Sequence, residues 1–168
     1  MNFELKTLSP DAVPRAIEKA MRYRLLNEPG EAASICLDAL AADAHNQEAL
    51  TTLLLALTDQ FEDSGANAVA EALLWLEQVT GEYERAYYSG IVAERRARAR
   101  LRLDLPDAGA RAYEWLSDAM ASYERAEAIR PPGNDDALLR WNACARLMMR
   151  DRRIAPAVEE RTEPLFLE

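Results

Sequence analysis

Apolar residues recur at three- and four-residue spacing along most of this chain, which is the pattern of helices with one buried side. In the first such segment the spacing is carried by Ile17, Ala20, Met21 and Leu25. Turn-forming residues interrupt the pattern between one segment and the next. The pattern predicts seven helices, at about residues 10–26, 30–42, 47–61, 66–79, 82–103, 106–130 and 135–150. We therefore expect an all-α fold.

Several helix ends are marked by capping and breaking residues. Ser9-Pro10-Asp11 supplies a hydroxyl, a first-turn proline and an acid, which together favour a helix start. Asn46 and Asn134 are the expected caps of the third and seventh helices. Pro131-Pro132-Gly133 ends the sixth helix. The first connection is too short for anything but an antiparallel pair of helices.

The buried stripes predict which residues face inward. Three inward positions of the second helix recur 34 residues later, so we expect the fourth helix to occupy an equivalent place. They are Ala32, Cys36 and Ala39, followed by Ala66, Ala70 and Leu73. In the seventh helix the inner stripe is expected at Leu138, Trp141, Ala145 and Met148.

Two segments of the chain resemble the tetratricopeptide repeat (TPR) family, whose period is about 34 residues. The matching residues are Ala20, Tyr23, Ala32, Cys36 and Ala39 in the first segment and Ala119, Tyr123, Ala126 and Pro131 in the second. The resemblance implies a short solenoid of antiparallel hairpins, with repeats at about 13–46, 47–82 and 83–133 and a capping helix at 134–150. The chain departs from the pattern where Ala44 replaces the closing proline, where Leu54 replaces a small residue, and in a third unit of 51 residues.

In that family the first helix of each pair lines a concave groove that receives a peptide or a helix. By position, the resemblance places Ile17, Met21, Arg24, Thr51, Leu55, Tyr87, Tyr88, Ile91 and Arg95 in the groove. Aromatic, Met and Arg side chains suit recognition of a protein segment. Taken singly, each apolar residue among them is more often part of a core.

Residues 94–102 hold five arginines and one acid in a chain of net charge −9. Arg95, Arg98 and Arg102 share one face of the predicted helix, and Arg96 and Arg100 share another. One interpretation is a solvated helix end whose arginines pair with acids of neighbouring helices. The other is a binding patch for an acidic partner or a phosphate, which adds Arg98 and Arg102 to the candidate site.

Charge and composition narrow the class of partner. The net negative charge, with a pI near 4.8, disfavours binding to nucleic acid. No apolar run approaches the roughly 18 residues of a membrane span, and the N-terminus has no signal-peptide pattern, so we expect no membrane association and a cytoplasmic location. Cys36 and Cys144 are far apart and are expected to be reduced core residues.

No phosphate-binding loop, nucleophile elbow or paired metal ligand occurs, so no cofactor, metal or catalysis is expected. His45, the only histidine, is expected at a surface turn without metal-ligand partners. The chain is predicted to be a protein-binding adaptor or scaffold. The alternatives are a structural or regulatory subunit, with residues 94–102 on an acidic partner, and, more weakly, an enzyme whose site resembles no known motif.

Residues 1–9 are predicted to be an arm, 10–150 one helical domain and 151–168 a tail. The tail ends in Pro164-Leu165-Phe166-Leu167-Glu168. Exposed hydrophobic residues in a row are uncommon unless they dock. We expect this end to fold back onto the protein, to cap the seventh helix or to bind a partner, and the first is favoured.

Overall fold

A computed structural model describes residues 3–103 and 105–157. Within them the protein is all-helical, as predicted. A 3₁₀ turn, Pro10–Ala12, is followed by α1 (Val13–Leu25), α2 (Pro29–Ala42), α3 (Gln47–Thr58), α4 (Gly65–Leu76), α5 (Glu82–Arg102), α6 (Ala108–Ala128) and α7 (Asp136–Arg150). All seven predicted helices are confirmed, each to within about three residues of its predicted ends.

Asparagines lie at two helix starts: Asn46 is the N-cap of α3 as predicted, whereas the N-cap of α7 is Asp135, one residue after Asn134. The Asn46 side chain accepts a 2.9 Å hydrogen bond from the Ala49 backbone N–H at the start of α3. The Asn134 side chain accepts one from the backbone N–H of Asp136 at 3.0 Å and another from the Tyr83 hydroxyl at 3.1 Å. Asn134 therefore fastens the start of α7 to α5.

Helices that are consecutive in the chain pack against each other, with the largest interface between α5 and α6. In addition, α3 contacts both α1 and α5. Helices α1, α3 and α5 therefore lie side by side, which is the neighbour order that stacked hairpins require.

Two hydrophobic clusters form the core. The first joins α1 to α4 and includes the predicted inward residues Ala20, Ala32, Cys36 and Ala39. The second joins α5, α6 and α7 around Leu116, Ala119, Tyr123, Ala126 and Cys144. Both cysteines are free and buried, as expected.

The predicted rotation of α4 is wrong. Ala66 and Ala70 are exposed and Leu73 is 44% exposed, whereas Ala68 and Ala72 are buried. Helix α3 presents large side chains to its neighbours, among them the fully buried Leu53 and Leu54. Large side chains on one helix leave room only for small ones on the helix that packs against it, and the alanines at 68 and 72 meet that need.

The predicted inner stripe of α7 is half confirmed: Trp141 and Met148 pack against the second cluster, whereas the stripe passes through 137 and 144 in place of 138 and 145. Its four members, Leu138, Trp141, Ala145 and Met148, are only half-buried. The fully buried residues are Ala137 and Cys144, because the Tyr123 ring already fills the space beneath α7 and admits only small side chains there.

The first residues of the predicted tail pack against the helical domain. Ile154 is buried in the second cluster. The Arg153 carbonyl lies so close to Gly109 that a Cβ there would be 1.9 Å from its oxygen. The chain is thereby fixed beside the α5–α6 turn. The apolar end of the tail, and with it the prediction of self-docking, lies outside the described residues.

Candidate partner-binding cleft

A polar cleft of about 510 Å³ lies where α1, the end of α3 and α5 meet. Its charged lining consists of Arg24, Asp59, Glu62, Asp63, Arg95, Arg98 and Arg102. Four predicted binding residues, all arginines, are thus brought together although they come from two helices. Spacings of three and four residues along α5 place three of them on one side of that helix.

Asp59 is the centre of this cleft. Its Oδ2 accepts a 2.8 Å hydrogen bond from Arg24 Nε and lies 2.8 Å from Arg24 Nη2. Its Oδ1 lies 3.4 Å from Arg95 Nη1. Arg95 Nε is buried and has no hydrogen-bond partner among the described residues. Two arginines from different helices therefore converge on one carboxylate.

Arg98 is held from behind by a buried charge. Glu94 is fully buried, and its carboxylate accepts hydrogen bonds from Arg98 Nε at 2.9 Å and from the Tyr123 hydroxyl at 2.7 Å. Arg140 Nη1 donates to the same oxygen, Glu94 Oε1, at 3.4 Å. Burial, followed by the charge of Glu94, raises the pKa of Tyr123, so its hydroxyl stays a donor. A buried carboxylate needs such partners, and Arg98 is positioned as one of them.

An aromatic cluster lies on α5, in the turns that precede Arg95. The Tyr83 and Tyr87 rings stack at 5.8 Å between centroids, and Tyr88 meets Tyr87 edge-on at 5.4 Å. Leu55 packs, like these tyrosines, against the second hydrophobic cluster. Three further predicted binding residues, Leu55, Tyr87 and Tyr88, are therefore brought together, and each remains half-buried.

The remaining groove predictions do not converge on the cleft. Ile17 and Ile91 are each 1% exposed, so the structure contradicts their assignment as groove residues: both face the core and present no surface to a partner. Thr51 donates to the Gln47 carbonyl of its own helix at 2.9 Å, and its side chain meets Tyr88 and not the polar cleft. Met21 is exposed on α1 but does not line the cleft.

All five arginines of residues 94–102 have a partner within the chain. Arg95 pairs with Asp59, Arg98 with Glu94, Arg100 with Asp107 and Arg102 with Glu62, while Arg96 lies over the Trp115 ring at 4.0 Å. Pairs between exposed side chains contribute at most about 1 kcal/mol, so a partner's carboxylate can replace them.

Sequence reasoning missed the acids that complete this site. Asp59, Glu62 and Asp63 follow α3 and carried no local signal, whereas Glu94 was visible as the only acid within the arginine run. Within 3–103 and 105–157, no group of three or more His, Cys, Asp or Glu side chains is arranged to hold a metal ion. No helix of that part of the chain is long and apolar enough to cross a bilayer.

Comparison of the chain with protein-family models, with curated proteins and with solved structures found no match. The functional argument therefore rests on the cleft and its charges.

Proposed function

We propose that this chain is a non-catalytic adaptor with TPR-like stacked hairpins, and that the polar cleft binds an acidic segment of a protein partner. The observation that supports the proposal most directly is the convergence of Arg24 and Arg95 on Asp59. Arginine forks match carboxylates in geometry as well as in charge. A cleft that holds one carboxylate in this way is suited to a second.

The partner's carboxylates have donors available. The Arg95 side chain is one-third exposed, and its contact with Asp59 is long at 3.4 Å, so a partner's carboxylate can compete for it. The Arg102–Glu62 pair is exposed, so its exchange for a partner's acid costs little. Arg98 is already oriented by Glu94, so little side-chain entropy is lost when it donates to a ligand.

The aromatic cluster extends this surface. Leu55 precedes Asp59 by one turn of α3, and Tyr88 precedes Arg95 by two turns of α5. On both helices, therefore, the apolar residues come before the charged residues along the chain. The proposed ligand is a segment with a hydrophobic side chain at one end and acids at the other.

Affinity capture on the immobilised full chain tests the proposal. The cleft variant is Arg95→Glu with Arg102→Glu, and the control is Arg15→Glu with Arg22→Glu, which makes the same charge change at exposed positions on α1. We expect a partner that binds the wild-type chain and the control, is lost from the cleft variant and is released by salt. A partner held equally by both variants would contradict the proposal.

A structural subunit is the alternative, and exposed hydrophobic residues at both ends of the helical array favour it. Leu25 and Leu26 are exposed at the end of α1, and Leu139 and Met149 on α7. In a permanent assembly these side chains and the arginines of residues 94–102 would be covered. The alternative predicts a partner at fixed stoichiometry that resists high salt and is lost from the Leu25→Ser, Leu26→Ser variant.

A further inference from the structure

A second cleft, apolar and about 390 Å³ in volume, lies between α4, the end of α5 and α6. Its apolar walls include Ala66, Val69, Ala70 and Leu73 of α4, Leu103 after α5, and Trp115 of α6. It exists because α4 turns Ala68 and Ala72 towards α3 and so leaves its other apolar side uncovered. The polar cleft of the proposed function is its neighbour: the two share Phe61 and Ala99, but their charged linings differ.

Two arginines border this apolar cleft. Arg96 covers the Trp115 ring, and Arg100 pairs with Asp107 through one terminal nitrogen. Arg100 Nε is buried and has no hydrogen-bond partner among the described residues. The Arg100 side chain is 29% exposed, and apolar walls beside its guanidinium fit a ligand that joins hydrophobic side chains to a carboxylate.

We propose that the cleft binds the chain's own segment Leu165-Phe166-Leu167-Glu168. Three consecutive hydrophobic residues followed by an acid have the chemistry that the cleft requires. Residues 158–168 hold four glutamates and one arginine, a net charge of −3, which complements Arg96 and Arg100. The proposal does not depend on the partner bound at the polar cleft.

The last described residues lie near the C-terminal end of α5, which also borders the cleft. Residues 155–157 lie against Leu101, Leu105 and Pro106, at the end of α5 that also carries Arg100 and leads to Leu103. Ile154 in the core and the close approach of Arg153 to Gly109 fix this position.

The intervening residues are long enough for the connection. Residues 158–164 separate this point from Leu165, and seven extended residues span about 23 Å. The α5 side of the cleft runs from Arg96 to Leu103, which is about 10 Å of helix.

The test uses the full chain with Leu165, Phe166 and Leu167 replaced by serine, together with a labelled peptide of residues 158–168. We expect the peptide to bind this chain at least tenfold more tightly than wild type, whose own segment occupies the cleft. In the serine background, Leu73→Glu should abolish binding. Leu74→Glu should not, because Leu74 is 65% exposed and does not line the cleft.

A readout without added peptide is the indole N–H resonance of Trp115, which should shift between wild type and the serine chain and move back when peptide is added. Circular dichroism checks that each variant is folded. Equal peptide binding by wild type and the serine chain, or equal binding by the Leu73→Glu and Leu74→Glu variants, would overturn the proposal. The wild-type chain could bind the peptide weakly only at concentrations where it dimerises. In that case the segment would occupy the cleft of a second copy, and the intrachain contact would be refuted.

Discussion

Gly90 lies directly against the ring of Tyr123: a Cβ on residue 90 would be 2.4 Å from Cε1 of that ring. This approach lets the Tyr123 hydroxyl reach the buried carboxylate of Glu94, which in turn orients Arg98 at the polar cleft. The absence of a side chain at Gly90 thus determines where Arg98 lies, one helical turn beyond Glu94.

Gly90→Ala should lower the free energy of unfolding by about 1–3 kcal/mol, because overpacking outweighs the roughly 1 kcal/mol gain in helix propensity. Gly30→Ala is the matched control. Its Cβ would meet only Gln60 Oε1 at 3.9 Å, so it should be neutral or stabilising. Urea denaturation measures both, and a neutral Gly90→Ala would show that the ring moves aside freely.

Ala72→Leu should destabilise the protein by about 1–3 kcal/mol, since Ala72 is fully buried where α4 meets its neighbours. Ala70→Leu should destabilise the protein by less than Ala72→Leu, because Ala70 lies on the wall of the apolar cleft and not in the core. Thermal or urea unfolding of the two variants tests the rotation of α4. If Ala70→Leu destabilised the protein more than Ala72→Leu, the inward positions of α4 would be those predicted from the 34-residue spacing.

Stability should fall as pH rises from about 9 to about 11, partly because of the two cysteines. Burial raises the pKa of Cys36 to about 11 and that of Cys144 to about 12, from 9.0 when unperturbed. In this range the unfolded state loses thiol protons that the folded state keeps, so unfolding becomes more favourable. Each thiol contributes at most about 1.4 kcal/mol per pH unit.

Burial also raises the pKa values of Tyr88 and Tyr123, so the measurement is a difference between chains. The Cys36→Ala, Cys144→Ala chain should lose less stability than wild type between pH 9 and pH 11. Parallel losses in the two chains would mean that the thiols ionise as readily in the folded state as in the unfolded one.

Asp59→Asn should strengthen the binding of an acidic probe, because it removes the internal carboxylate that occupies Arg24 and Arg95. Titration calorimetry with a hexaglutamate peptide at low salt should show a several-fold lower Kd than for wild type. Asp38→Asn changes the net charge equally at an exposed position of α2 and controls for long-range attraction. Equal effects of the two substitutions would mean that overall charge, and not the cleft, governs binding.

Helix positions were predictable from the sequence because their signals are local. Asn46 caps α3 through a bond to a residue three positions away, and the spacing of Ala119, Tyr123 and Ala126 already placed them on one buried side. The arginines of the candidate site were predictable for the same reason, since helical spacing alone puts Arg95, Arg98 and Arg102 together.

The rotation of α4, the inner side of α7 and the counter-charges of the cleft were decided by tertiary structure. Which side of α4 is buried depends on the leucines that α3 presents, and Asp59 meets Arg24 across 35 residues of sequence. Periodicity predicts that a helix has an apolar side. When a helix such as α4 has two apolar sides, the side that is buried depends on the helices packed against it. That choice buried Ala72, left Leu73 exposed and opened the apolar cleft.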